Sequence, residues 1–203
     1  MTRCSQAMTR CKHTEHHRHT FAMSIQLSLK FHLDCGNASK RPSRDDWKTP
    51  EQILEVVRKT FAQGRIVTDP CTTEDNPTKA QKIFTSKENG LNYGWEGNAF
   101  INPPYSDPSV WIDTAADRVT FGEIEEAIVL VPAQSLGSKR SGLPSKTAQA
   151  LCLWRGRIHF INPETGKPAK QTNFTSAFLY WGDRSRQFEE VFSQYGIVGL
   201  ISK

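Results

Sequence analysis

Residues 98–105, which read NAFINPPY, decide the fold of this chain: an apolar run enters a rigid polar corner. A proline disfavours the α region for the residue before it, so Asn102 and Pro103 are both pushed towards extended conformations. The rings of Pro103 and Pro104 also fix two φ angles. We therefore predict that the Asn102 amide and the Tyr105 ring are held in one relative geometry at the end of a buried strand.

A corner of this kind suits a planar group that bears an exocyclic amine. The side-chain carbonyl of Asn102 and the backbone carbonyl of Pro103 are able to accept the two amine hydrogens. The Tyr105 ring is able to stack on the planar face. The alternative is a strand that ends in an ordinary turn, because Asn and Pro are common turn formers. The context favours a binding site, since an apolar strand precedes the corner and a good helix start follows it.

Hydrophobic periodicity predicts strands and helices that alternate along the chain. Thr49 as N-cap and Pro50 at the first helical position predict a helix that Gly64 ends. Ser106 or Asp107 is predicted to cap a second helix, with Pro108 at its first position. The other predicted elements are short helices between 76 and 84 and at 144–150, a helix near 184–194, and strands at 65–68, 98–102, 127–131, 151–154, 157–161, 174–181 and 197–201.

This alternation indicates an α/β fold with a mostly parallel sheet and antiparallel strands at one edge. In open sheets of this kind, ligands bind beyond the carboxyl ends of the strands. Asp69-Pro70-Cys71 and Asn102 both follow predicted strands. We therefore expect the two polar motifs to lie at the same end of the sheet, as a two-ligand site requires.

Length and charge predict one folded domain and one basic extension. The chain has 203 residues and a net charge of +5; residues 1–44 hold 8 Lys and Arg against 2 Asp and Glu, and the remainder holds 18 against 19. We predict a disordered, basic, His-rich extension at residues 1–44 and a single domain at residues 45–203. The extension suggests contact with a polyanion, although a solvated tail without a partner explains its charge equally well.

Other features set the expected compartment and chemistry. The chain contains no apolar stretch of the roughly 18 to 20 residues that a membrane helix needs, and its N-terminus is unlike a secretory signal. We therefore expect a cytoplasmic protein with no membrane contact, and we find no sign of an obligate protein partner. The Cys and His residues between positions 4 and 19 do not match zinc-finger spacing, so no metal is predicted.

Several motifs in a fixed order resemble the phage DNA N-6-adenine methyltransferases, the Dam-like family. The resemblance covers about residues 45–203. The matching motifs are Trp47-x-Thr49-Pro50, Asp69-Pro70-Cys71, Asn89-Gly90-Leu91 with Trp95, Asn102-Pro103-Pro104-Tyr105, and Gly156-Arg157-Ile158-x-Phe160. The Asn-Pro-Pro-Tyr tetrad alone is shared more widely among amino-methyltransferases, whereas the ordered set is more specific.

The resemblance implies a Rossmann-like methyltransferase fold that uses S-adenosylmethionine and acts on the N6 amine of adenine in DNA. It implies that the catalytic residues are the tetrad Asn102, Pro103, Pro104 and Tyr105. It also implies that the cofactor-binding residues are Thr49, Pro50, Asp69, Pro70 and Cys71.

The chain departs from the wider methyltransferase pattern after the first predicted strand. A Gly-x-Gly loop, which lets a backbone approach a cofactor closely, is missing, and Thr72, Thr73 and Glu74 stand in its place. Asp69 as a helix cap or a turn former therefore remains the alternative to its cofactor role.

Predicted DNA contacts come from an aromatic residue and from loop cations. Trp95 precedes the catalytic strand in a Gly-flanked loop and is a candidate substrate contact, together with Tyr105. Lys139 and Arg140 are the first candidates for phosphate contacts, and Lys146, Lys167 and Lys170 extend this cluster.

Two other kinds of function remain open at this point. One is a methyltransferase that acts on RNA or on protein glutamine side chains, because the same tetrad serves such enzymes. The other is a nucleic-acid-binding protein that kept the fold but lost the cofactor, because the glycine loop is missing. A role in restriction-modification of phage DNA is consistent with the resemblance and is not tested by the sequence.

Overall fold

The computed structural model describes residues 47–137, 147–169 and 173–201. Residues 1–44, the Cys and His stretch within them, and the predicted phosphate contacts at 139, 140, 146 and 170 lie outside these ranges. In the described ranges the helices are α1 (Glu51–Thr60), α2 (Ser109–Thr120) and α3 (Ser185–Phe192), with 3-10 turns at Gly90–Asn92 and Ala133–Gly137. The strands are β1 (Thr68–Asp69), β2 (Lys82–Ile83), β3 (Asn98–Ile101), β4 (Glu126–Pro132), β5 (Ala150–Trp154), β6 (Ser176–Trp181) and β7 (Gly196–Leu200).

The strands form one mixed sheet in the order β2-β1-β3-β4-β6-β5-β7. The first four strands in this order pair in parallel, and each later pair is antiparallel. Because β5 is antiparallel to β6 and β6 is antiparallel to β4, β5 points the same way as β1 to β4. The fold is therefore a Rossmann-like α/β fold with a mostly parallel sheet, as predicted. We call the end of the sheet where β1 to β5 finish the carboxyl edge, and the other end the amino edge.

Apolar residues on the two faces of the sheet form two core clusters. One face packs Phe100 and Leu130 with residues of α1 and α3, including Val57 and Phe188. The other face packs the remaining positions of β3 and β4 with α2, including Ile112. Since β4 is buried on both faces, every residue in it is buried, which is the physical reason for its continuous apolar run.

Some predicted elements differ in the structure. Helix α1 begins at Glu51, with Pro50 in the extended cap position, so the predicted start was one residue too early. Within 76–84 the described structure has turns and then the two-residue strand β2 (Lys82–Ile83) instead of a short helix. Of the helix predicted at 144–150, the described residues 147–149 form a turn that leads into β5 at Ala150. The strand predicted at 157–161 is replaced by two isolated antiparallel bridges of Ile161, with Lys48 and with Pro168. Each partner is a single loop residue, so no continuous strand pairing forms there. None of the helices in the described ranges is long and apolar enough to span a bilayer.

Candidate active site

The two predicted polar motifs lie side by side at the carboxyl edge. Asp69 ends β1 and Asn102 directly follows β3, and these strands pair with each other through Thr68 and Ala99. The backbone amide of Asn102 also donates a hydrogen bond to the Cys71 thiol. The Asp-Pro-Cys loop and the Asn-Pro-Pro-Tyr loop are thus in direct contact.

The two polar atoms of the Asn102 side-chain amide differ in their hydrogen bonding. Its Nδ2 donates to the backbone carbonyl of Trp47 at 3.3 Å. Its Oδ1 is buried and has no hydrogen-bond partner in the part of the chain that is described. A buried polar atom without a partner is costly, and such atoms are rare in folded proteins. The side chain therefore presents an unused acceptor at the carboxyl edge.

The Tyr105 ring is half-buried against two other aromatic rings. It packs edge-on against Phe160, with centroids 6.1 Å apart, and against Phe174 at 5.3 Å. Its hydroxyl oxygen is buried without a partner among the described residues. Burial, with a smaller contribution from the nearby Cys71 thiol, raises the pKa of this phenol well above its ordinary value. Tyr105 is therefore neutral at physiological pH and serves as an aromatic surface, not as a base.

Asp69 is a buried carboxylate, 3% exposed, that pairs with no lysine or arginine of the described ranges. Its Oδ2 accepts from Thr78 Oγ1 at 2.8 Å and its Oδ1 accepts from the Cys71 backbone amide at 3.2 Å. Loss of water raises the pKa of Asp69 to about 6, and the hydrogen bonds from Thr78, Cys71 and Thr72 act against that rise. At neutral pH the site holds a negative charge that a cationic ligand would neutralise.

Pro70 and Cys71 are fixed by their neighbours. A Cβ placed on Gly90 would lie 2.1 Å from the Pro70 carbonyl oxygen, so only glycine allows this approach. This contact explains why the Asn89-Gly90-Leu91 turn accompanies the Asp-Pro-Cys loop. Burial raises the pKa of the Cys71 thiol, and the Asp69 charge raises it further, so the thiol stays protonated.

Thr49 and Pro50 are buried immediately before α1. The Pro50 carbonyl accepts from the backbone amides of Ile53 and Leu54, which opens the helix. The preceding residue, Lys48, forms an antiparallel bridge with Ile161. Because the Trp47 carbonyl meets Asn102, the entry to α1 lies at the carboxyl edge beside the tetrad.

Trp95 does not have an exposed face for a base. It is 2% exposed, its indole Nε1 donates to the Gly90 carbonyl at 2.9 Å, and the Arg118 guanidinium lies 4.5 Å from its ring centroid. This placement indicates a packing role that supports the Gly90 turn, and it does not support the predicted contact with substrate.

Sequence reasoning missed several contributors to the site. The Trp47 carbonyl, the Thr78 hydroxyl and the Phe174 ring each contact a motif residue. Trp47 and Phe160, which also contacts Tyr105, belong to motifs that resemble the family, and this resemblance was the sequence signal that could have placed them at the site. No local pattern marks Thr78 or Phe174, since each meets its partner only through the fold.

A hollow of about 530 Å³ lies elsewhere, at the amino edge. Its lining includes Gly97, Glu125, Gln149 and Asp183, which precede β3, β4 and β5 or follow β6. The hollow is therefore separated from the tetrad by the length of the strands and is not part of the candidate site.

Comparisons with known proteins place the chain in a family. No curated protein matched the sequence. One solved structure that matches is a protein from Pyrococcus horikoshii, provisionally assigned as an RNA methyltransferase, with 12% identity, a TM-score of 0.43 and coverage of 79% of this chain and 99% of that chain. A model of the DNA N-6-adenine-methyltransferase (Dam) family matches residues 36–199, and the chain belongs to this family.

Proposed function

We propose that this protein transfers a methyl group from S-adenosylmethionine to the exocyclic N6 amine of adenine at defined sites in DNA. Membership of the family supports an adenine DNA methyltransferase. The observation that carries the proposal is the Asn102 amide, whose Nδ2 is held by Trp47 while its Oδ1 is buried and unpaired. That acceptor suits an amine that arrives with the substrate.

The chemistry asked of Asn102 follows from the nature of the amine. The N6 lone pair of adenine is delocalised into the ring, so the nitrogen is a poor nucleophile. Hydrogen bonds from its two hydrogens to Asn102 Oδ1 and to the Pro103 carbonyl favour a more pyramidal nitrogen. The same carbonyl dipoles stabilise the positive charge that develops there during transfer. A strong base is not required before transfer, which agrees with a neutral Asn102 and a neutral Tyr105. After transfer the cationic nitrogen still carries both hydrogens, and it loses one of them as a proton to solvent.

The target base must leave the helical stack before it reaches this corner. Extruding a nucleotide costs a few kcal/mol, and stacking in the pocket offsets part of that cost. Tyr105 supplies the stacking surface, and its edge-on contacts with Phe160 and Phe174 hold the ring plane. The role of the aromatic residues is therefore to orient the base, while Asn102 and Pro103 hold its amine.

The residues around Asp69 fit a cationic cofactor. Thr49, Pro50, Asp69, Pro70 and Cys71 would hold S-adenosylmethionine, which supplies a methyl group already activated on a sulfonium. The Asp69 carboxylate is buried without a basic partner among the described residues, so a positively charged ligand would complete its environment. Contact between Cys71 and Asn102 would then align the donor with the acceptor.

Candidate contacts to the DNA backbone include Lys139 and Arg140, whose charges precede β5 in the sequence. Their role stays a prediction, because the two residues lie outside the described ranges.

The substrate is tested by incubating the full chain with tritiated S-adenosylmethionine and, separately, unmethylated DNA, RNA or a glutamine-containing protein substrate. Label in the DNA, located on N6 of adenine by nucleoside analysis, is the expected result. Label only in RNA or only in protein would overturn the proposed substrate. Sequencing of the methylated DNA then shows whether modified adenines share a common sequence.

The assigned role of Asn102 is tested by Asn102→Ala. We expect the single-turnover rate to fall on the order of 100- to 1000-fold, as for the loss of one preorganised electrostatic group. The lost hydrogen bond to Trp47 should lower the free energy of unfolding by only about 1 kcal/mol. Near-normal turnover in a folded Asn102→Ala variant would refute the assigned role.

A further inference from the structure

The segment that follows β5 leaves the sheet at the carboxyl edge, where the tetrad lies. Strand β5 points the same way as β3, so its last residue, Trp154, ends at that edge. Arg155 and Arg157 come next in the chain, one on each side of Gly156, whose φ of 80° allows a sharp turn there. We call these two residues the arginine pair.

The inner side of this segment supports the candidate catalytic tyrosine. Ile158 and Phe160 are both 2% exposed, and Phe160 makes the edge-on contact with Tyr105. The arginine pair, in contrast, is exposed. One short segment therefore packs on the tetrad with its apolar residues and presents two guanidinium groups to solvent beside it.

The arginine pair also differs from most cations of the described ranges in its partners. Lys48, Arg58, Lys79, Lys82, Lys87, Arg118 and Arg186 each form an ion pair with a carboxylate. Neither Arg155 nor Arg157 pairs with a described carboxylate, and Arg157 Nη1 instead donates to the Thr175 hydroxyl at 3.2 Å. Within the described part of the chain, the two charges of the arginine pair therefore have no counterion, and Arg157 is positioned by a neutral hydroxyl.

We propose that the arginine pair binds the phosphates of the DNA strand that carries the target adenine. Guanidinium groups match phosphate oxygens in geometry and charge. Phosphate contacts fix the register of a protein on DNA without reading sequence. This inference rests on the proposed function, since a base held at Tyr105 brings its flanking phosphates to the carboxyl edge.

The test is the salt dependence of DNA binding, measured by fluorescence anisotropy with an unmethylated duplex. Each phosphate contact contributes about 0.9 to the slope of log affinity against log salt concentration. Replacing both residues (Arg155→Gln with Arg157→Gln) should therefore reduce the slope by about 1.8. Arg155→Lys with Arg157→Lys keeps the charge and should restore most of the slope.

The matched control removes two exposed cations at the amino edge that form no ion pair with a described carboxylate, through Lys59→Gln with Arg65→Gln. Its slope should equal that of the wild-type protein, and thermal melting verifies that each variant folds. An unchanged slope in the arginine-pair variant, with normal DNA methylation by the wild type, would overturn this inference and leave the proposed function standing. If the wild type labels no DNA, the proposed function fails, while the slopes still decide whether the pair contacts phosphates.

Discussion

Asp69 is a residue whose burial opposes folding at neutral pH. Its carboxyl has a pKa of about 6 in the folded protein against an ordinary value of 3.8. Between these two values the folded state holds a proton that the unfolded state has lost, so the free energy of unfolding falls as pH rises. A gap of this size corresponds to about 3 kcal/mol. A ligand-binding role would explain why a buried carboxylate stands at position 69 although it lowers the free energy of unfolding.

Asp69→Asn should consequently stabilise the free protein at pH 7. We expect a gain of about 1 to 3 kcal/mol, since the buried charge disappears and Cys71 keeps its acceptor. Thr78 Oγ1 also lies 3.2 Å from Asn76 Oδ1, which is able to accept its proton when position 69 no longer does. Urea unfolding from pH 4 to pH 8 measures the effect, and the gain should shrink towards pH 4.

Asp75→Asn is the matched control for this measurement. Asp75 is exposed and its pKa is lowered, chiefly by its hydrogen bond with Lys48, so its contribution to stability has the opposite sign. This control should gain nothing at pH 7. An Asp69→Asn protein less stable than wild type at pH 7 would contradict the assigned cost of the buried charge.

At the scale of elements, the entry to α1 acts as a clamp on Asn102, the residue that directly follows β3. The backbone amide of Lys48 donates to the Ile161 carbonyl at 3.0 Å, and the Ile161 amide donates back at 2.9 Å. This bridge fixes the peptide that follows Trp47, whose carbonyl accepts from Asn102 Nδ2. Because Nδ2 is engaged there, Oδ1 is directed away from Trp47 and stays available.

Lys48→Pro tests the clamp, because proline removes the amide that donates to Ile161. We expect a fall in the single-turnover rate of about fivefold, which corresponds to about 1 kcal/mol of coupling. Lys48→Ala, which keeps the amide but loses the ion pair with Asp75, is the control and should transfer methyl at the wild-type rate.

A double-mutant cycle separates positioning from general damage. Asn102→Asp keeps an acceptor but has no Nδ2 to donate to Trp47, so Lys48→Pro should have little further effect in that background. An equal loss in both backgrounds would show that the bridge does not act through Asn102.

At the scale of the whole molecule, the sequence predicts those features that depend on neighbouring residues in the chain. The two prolines of the 98–105 corner mark the carboxyl edge of the sheet, and the apolar run of β4 marks its central strand. Strand β2 was missed because it has two half-buried residues, too few to show a period. The contact between Trp47 and Asn102 spans 55 positions, so only the fold reveals it.

The placement of individual side chains was harder to predict for the same reason. The position of Trp95 shortly before β3 favours a substrate contact, yet its ring packs beneath Arg118 in the core. The position of a residue in the chain predicts which edge it lies near. Whether it faces the ligand or the core depends on packing partners that are distant in sequence.

The last prediction compares how much ligand binding stabilises variants changed at the carboxyl edge and at the amino edge of the sheet. S-Adenosylmethionine at about 100 times its dissociation constant should raise the free energy of unfolding by about 2.7 kcal/mol, because it binds the folded state alone. In Asp69→Asn, at the carboxyl edge, a tenfold weaker affinity would reduce this increment to about 1.4 kcal/mol at the same ligand concentration. Asp183→Asn, an equivalent change in the amino-edge hollow, should keep the full increment. Chemical denaturation with and without ligand measures all three, and a wild-type protein that gains nothing would favour a nucleic-acid-binding protein without a cofactor.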